Sequence, residues 1–204
     1  MGGISGLGRA AAGLVGAVAW AGLAVQFAAS TELAESAGAA AWAMLRYFTI
    51  LTNLIVALLF TAIALGRAPG RLPFLLGGAT LAILLVGIVH ALLLRGLLEL
   101  SGGARLADFL LHSATPVLVP LYWLAFAPKG GLARRDPLLW ALYPLAYFVY
   151  ALARGAAEGI YAYPFLDAGR LAPAEIALNA LVMAAGFLLA GYGLLQLDRR
   201  LARD

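Results

Sequence analysis

The sequence predicts an all-α integral membrane protein, a bundle of six transmembrane helices with both termini cytoplasmic. Three observations carry that expectation. Hydrophobic residues make up 64% of the 204, against about 45 to 50% in soluble domains, and the mean hydropathy is +0.94. Six segments reach the roughly 20 apolar residues that a helix needs to cross a bilayer core. The basic residues fall between these segments and are distributed unequally over the two sides.

The six helices are placed near 9–29, 42–65, 74–95, 106–127, 137–154 and 174–196, in a single domain over 1–204. The first starts like a secretory leader, with Arg9 before an apolar run and Ala28, Ala29 and Ser30 after it. Its run exceeds the roughly 7 to 15 residues of a leader's apolar region, so a membrane span is expected. Gly66, Pro69, Gly70 and Pro73 close the second helix, and Ser101, Gly102 and Gly103 separate the third from the fourth. Pro128, Gly130, Gly131 and Pro137 mark the next break. The longest connection runs from Gly155 to Pro173, a length more often functional than idle.

Arg9, Arg67, Arg71, Lys129, Arg134, Arg135, Arg199, Arg200 and Arg203 lie on one side, and Arg46, Arg95, Arg105, Arg154 and Arg170 on the other. The richer side is the inner one. The composition, dominated by Ala, Gly, Leu and Arg, points to a GC-rich bacterial genome and to the bacterial cytoplasmic membrane. A formal net charge of +4 spread over loops is no nucleic-acid signature, so no nucleic-acid partner is expected. There is no cysteine, which removes disulfides, thiolate metal sites and thiol nucleophiles. Phosphate-cradling glycine loops, HExxH and GxSxG are also missing, so ATP-driven transport and the common protease and esterase motifs have no support.

The intramembrane polar residues are lopsided in depth. With about 1.5 Å of rise per residue, Gln26, Thr49, Asn53, His90, His112, Thr115 and Asn179 all fall in the outer half. Arg46, Thr49 and Asn53, at i, i+3 and i+7, share one helix face. Such groups must be satisfied internally or by water, so the accumulation predicts one cavity opening outward. Taken singly, each Thr or Asn is as well explained by interhelical hydrogen bonding, at about 0.6 kcal/mol apiece. The coincidence in depth of the chain's only two histidines with these residues favours a functional pocket. On the long outer loop, Tyr161, Tyr163, Pro164 and Phe165 form an aromatic lid or an interfacial belt. Arg154 and Glu158 pair if the helix continues past Gly155, and Arg154 is also suited to a carboxylate head group.

Three stretches carry a resemblance: RYFTILTNLIV at 46–56, LLHSATPVLVPLYWLAF at 110–126 and RGAAEGIYAYPFLD at 154–167. Together they resemble a bacterial family of six-transmembrane proteins and, more distantly, the eukaryotic androgen-induced-gene family, which includes the androgen-dependent TFPI-regulating protein. The likeness runs from about 42 to 170. Members of the eukaryotic family are intramembrane hydrolases of fatty acid esters of hydroxy fatty acids, with a threonine nucleophile and a histidine base. The resemblance implies a nucleophile at Thr49, within Arg46-Tyr47-Phe48-Thr49. In the fourth helix the family reads roughly H-x-x-H-T-x-V-L-P; aligned on the proline, the first histidine matches His112 and the second, catalytic one falls on Thr115. His112 or His90 would then be the base. Asn53 or Arg154 could stabilise an oxyanion, with Thr115, Asn179 and Tyr163 around the substrate.

The leading expectation is a lipid-handling hydrolase of fatty-acyl esters that uses Thr49 and a histidine in an outer-leaflet cavity. A non-catalytic carrier or receptor for a lipid or small amphiphile, anchored by Arg154, is the alternative. The expected partners are a fatty-acyl substrate and membrane lipids, and no cofactor or resident metal is expected. A third reading, haem or zinc on His90 and His112 with Asp108 as a further donor, carries less weight.

Overall fold

The computed structural model describes residues 4–67, 70–97 and 99–202, and every regular element among them is helical. Pro69 and Arg203, used above as loop and charge markers, lie outside the described residues. Five stretches are long and apolar enough to cross a membrane, and a bent pair of helices makes a sixth. In order, α1 (Gly6–Thr31) is followed by the pair α2 (Ala37–Met44) and α3 (Phe48–Ala64). Then come α4 (Leu72–Val89), α5 (Gly102–Phe109), α6 (Thr115–Phe126), α7 (Asp136–Glu158) and α8 (Pro173–Leu201). Leu58, Leu121, Leu142, Leu181 and Leu189 are more than half exposed. A contiguous apolar surface of this kind belongs in lipid, which marks an integral membrane protein.

The core is built from Val56, Phe60, Leu76, Ile83, Val119 and Trp123, contributed by α3, α4 and α6. Small residues let the backbones approach. A Cβ on Gly22 of α1 would lie 2.7 Å from Leu111 Cδ2, and one on Gly87 of α4 would lie 2.7 Å from Pro116 Cβ. Gly22 brings α1 against the segment that joins α5 to α6, and Gly87 brings α4 against the start of α6.

Two departures from the expected helices shape the site. The expected helix over 42–65 is broken: α2 and α3 meet at 95°, with Tyr47 extended between them at φ −97° and ψ 132°. Arg46 therefore lies in the break, off the helical face it was expected to share with Thr49 and Asn53. Nothing local forces this bend, since no Pro or Gly lies between Leu45 and Phe48. Its cause is on α7. The Tyr147 hydroxyl donates to the Arg46 carbonyl at 2.7 Å, and the Tyr150 hydroxyl donates to the Leu45 carbonyl at 3.1 Å. A break in hydrocarbon leaves carbonyls that only protein can satisfy, and these phenols supply the partners.

The second departure is a pair of π-helical turns. At His90–Leu94 the Arg95 amide bonds the His90 carbonyl, and at Leu110–Ala114 the Thr115 amide bonds the Leu110 carbonyl, each five residues apart. The first extends α4 and the second joins α5 to α6, making one span over Gly102–Phe126. Each turn carries one of the two histidines. α7 also runs four residues past its expected end, to Glu158, so the long connection is shorter than expected and contains a 3-10 turn at Pro164–Leu166.

Candidate active site

Thr49 is the second residue of α3, placed there by the break before Phe48. Its hydroxyl lies 3.2 Å from His112 Nε2, while His112 Nδ1 lies 3.0 Å from Asp108 Oδ1. Asp108 and His112 are four apart and sit on one side of the α5 span. An ionised carboxylate only accepts, so His112 carries its proton on Nδ1 and leaves Nε2 to accept from the Thr49 hydroxyl. The Asp108 carbonyl, 3.3 Å from Nδ1, favours the same tautomer. The second histidine joins from α4: His90 Nε2 is 3.0 Å from the same Asp108 Oδ1, and its ring stacks on His112 with centroids 4.1 Å apart.

Thr49 also faces a cavity of about 250 Å³ between α3, α4, α7, the loop that joins α7 to α8, and α8. Its walls are Phe48, Val86, Val89, Phe148, Leu166 and Phe187 among others, with Thr49 and the phenols of Tyr147 and Tyr163 as the polar groups. Leu145 and Leu181 line it while remaining 58% and 68% exposed, so it reaches the lipid-facing surface between α7 and α8. The single outward polar cavity expected from sequence is thus two features in contact. One is an apolar chamber, the other a histidine–aspartate cluster behind its wall, and Thr49 joins them.

The start of α3 presents its backbone amides at the same place. Among the described residues no backbone carbonyl takes the amide of Thr49, and Tyr47 offers no side-chain cap. First-turn amides and the positive end of the helix dipole favour negative charge. The Tyr163 oxygen rests over them. Burial pushes the Tyr163 phenol up from its ordinary range, while the neighbouring Thr49 hydroxyl and the amides of Thr49 and Phe48 pull the other way. The phenol therefore stays protonated at neutral pH.

The remaining expected site residues lie elsewhere. Asn53 is fully buried: its amide donates to the Thr49 carbonyl at 2.9 Å and the Leu111 carbonyl at 3.3 Å, and its Oδ1 accepts from Thr115 at 2.7 Å. Asn53 and Thr115 thus tie α3 to the second π turn behind Thr49 and have no donor left for an oxyanion. Arg154 donates to Glu158 at 2.8 Å, to the Tyr150 hydroxyl at 2.7 Å and to the Trp42 carbonyl at 2.6 Å, and stacks over the Trp42 ring. With Arg46 on the other Glu158 oxygen at 2.6 Å, it clasps α2 to the C-terminal end of α7. It holds neither a head group nor an oxyanion here. Asn179 donates to the Phe165 carbonyl at 3.0 Å and fastens the lid to α8.

Two participants lie outside the catalytic residues expected from sequence. Asp108, there a metal donor only, stands four residues before His112, the spacing that places an orienting carboxylate on the same helix face. Tyr147 carries no signal in the sequence, because its part depends on a bend that the sequence does not announce. Compared with known proteins, the chain matches no family model, no curated protein and no solved structure.

Proposed function

We propose that this protein is a membrane-embedded hydrolase of fatty-acyl esters, with Thr49 as nucleophile, His112 as base and Asp108 as the residue that orients it. The observation that carries the reading is the Thr49–His112–Asp108 relay, with contacts of 3.2 and 3.0 Å, opening onto an apolar chamber. The resemblance of 46–56, 110–126 and 154–167 to the androgen-induced-gene family supports the same reaction and the same nucleophile.

His112 Nε2 takes the hydroxyl proton as Thr49 Oγ1 bonds the ester carbonyl carbon. Asp108 stabilises the imidazolium that forms. The carbonyl oxygen, displacing the Tyr163 oxygen from the start of α3, meets the amides of Phe48 and Thr49 as it gains charge. The tetrahedral species collapses with the proton returned from His112 to the leaving alkoxide, which departs as the alcohol. Water then attacks the acyl-threonine, again giving a proton to His112, and the fatty acid and free Thr49 are restored. The acyl chain lies in the chamber, which reaches lipid beside Leu145 and Leu181. The site belongs to the outer side of the bacterial cytoplasmic membrane, on the charge distribution of the loops.

A carrier would retain the chamber without the chemistry, but the head-group anchor envisaged for it, Arg154, is committed to Glu158, Tyr150 and Trp42. The test is turnover of a long-chain p-nitrophenyl ester by purified protein in nanodiscs. Wild type should release p-nitrophenol, and Thr49→Ala should lose at least about 10²-fold of the rate. Equal rates in the two proteins would remove Thr49 from the reaction, and ester binding without turnover in wild type would favour the carrier.

A further inference from the structure

His90, Asp108 and His112 do more than orient one base. A relay needs one imidazole on its carboxylate; here two imidazoles from different spans converge on one oxygen. His90 Nε2 and His112 Nδ1 are each 3.0 Å from Asp108 Oδ1, and the three donor atoms lie within 4.8 Å of one another. About 3.3 Å is the separation that two ligands of a tetrahedral cation take at metal–ligand distances of about 2.0 to 2.1 Å. All three side chains are partly accessible. Each histidine also sits on a π-helical turn, a distortion that α-helices keep mainly at functional sites.

We propose that these three side chains form a binding site for a divalent transition cation, of the zinc class, and that its loading switches off Thr49. Two imidazoles and a carboxylate suit zinc and its first-row neighbours, and leave a fourth position for water. The switch follows from the tautomers. In the metal-free relay the His112 proton is on Nδ1 and Nε2 accepts from Thr49. A cation on Nδ1 requires the lone pair there, so the proton moves to Nε2. The imidazole then donates to Thr49 Oγ1 instead of accepting from it, as a ligating histidine donates its second nitrogen to an outer partner. His90 makes the matching change, from a proton on Nε2 to one on Nδ1, and no net proton is released. The cation binding stands independently of hydrolysis; its effect on turnover rests on the role given to Thr49 above.

The experiment uses full-length protein in nanodiscs, stripped with chelator and titrated with Co²⁺ and then Zn²⁺. Wild type should bind one Co²⁺ per chain with the visible absorption of a four-coordinate site, and Zn²⁺ should displace it. Thr49→Ala should bind equally well. His90→Gln and Asp108→Asn should each weaken binding by about a hundredfold or more, above the range for changes outside the ligand set. Histidine ¹⁵N spectra should show the His112 proton moving from Nδ1 to Nε2 on Zn²⁺ addition, and Zn²⁺ should slow ester turnover reversibly. No saturable Co²⁺ spectrum, or unchanged affinity in a folded His90→Gln protein, would overturn the site. Faster turnover with Zn²⁺, or an unmoved His112 proton, would overturn the switch. Metal binding with the tautomer change in a protein that hydrolyses nothing would support the site while removing the hydrolase reading.

Discussion

Of the chain's six threonines, Thr31, Thr61 and Thr115 donate to carbonyls of their own or the adjoining turn, and Thr52 pairs with Tyr143. Thr49 alone of these lies against an imidazole. That difference separates a helix-packing hydroxyl from the proposed nucleophile, and only part of it is legible in sequence. The shared depth of Thr49, His90 and His112 follows from counting residues along apolar segments. The pairing of Asn53 with Thr115 does not, because depth places two residues at one level without saying which faces the chamber. Tyr163 poses the sharpest question at this scale. If the α3 amides receive the oxyanion, Tyr163→Phe should leave kcat within about threefold of wild type, whereas loss of a true oxyanion donor costs about 10² to 10³. Steady-state kinetics on a soluble acyl ester decides between the phenol and the backbone.

At the scale of elements, the site depends on three distortions that periodicity does not reveal. A continuous apolar run over 42–65 reads as one helix, and the two π turns carry the same hydrophobic content as α-helix. The break after Met44 exists because Tyr147 and Tyr150, about a hundred positions away, cap the freed carbonyls. Arg154, Glu158 and Arg46 then fix α2 across the C-terminal end of α7. Removing one cap leaves a buried carbonyl without a partner, at a cost of about 1 to 3 kcal/mol. Tyr147→Phe should accordingly lower the thermal midpoint of the purified protein, and it should lower turnover too, since the same carbonyl precedes the turn that presents Thr49. An unchanged midpoint would show that the break is held by something other than the α7 phenols.

For the whole molecule, the composition predicts a membrane bundle, and the loop charges predict an orientation with both termini and the 129–135 loop inside. The sequence has no cysteine, so single cysteines report sidedness without background. Ala168 on the lid loop and Ala133 before α7 are both exposed. In intact cells, Ala168→Cys should react with a membrane-impermeant maleimide and Ala133→Cys should react only after permeabilisation; the reverse pattern would invert the protein and move the site to the inner leaflet. Thr49, His112 and Asp108 cluster at one mouth of an apolar chamber, and the proposed reaction passes through an acyl-threonine there. The most direct test is mass spectrometry of protein quenched during turnover of a long-chain p-nitrophenyl ester. One added acyl group on the peptide containing Thr49, absent from Thr49→Ala, is the result the relay predicts. Sustained turnover with Thr49 unmodified, or an acyl group on another residue, would contradict it.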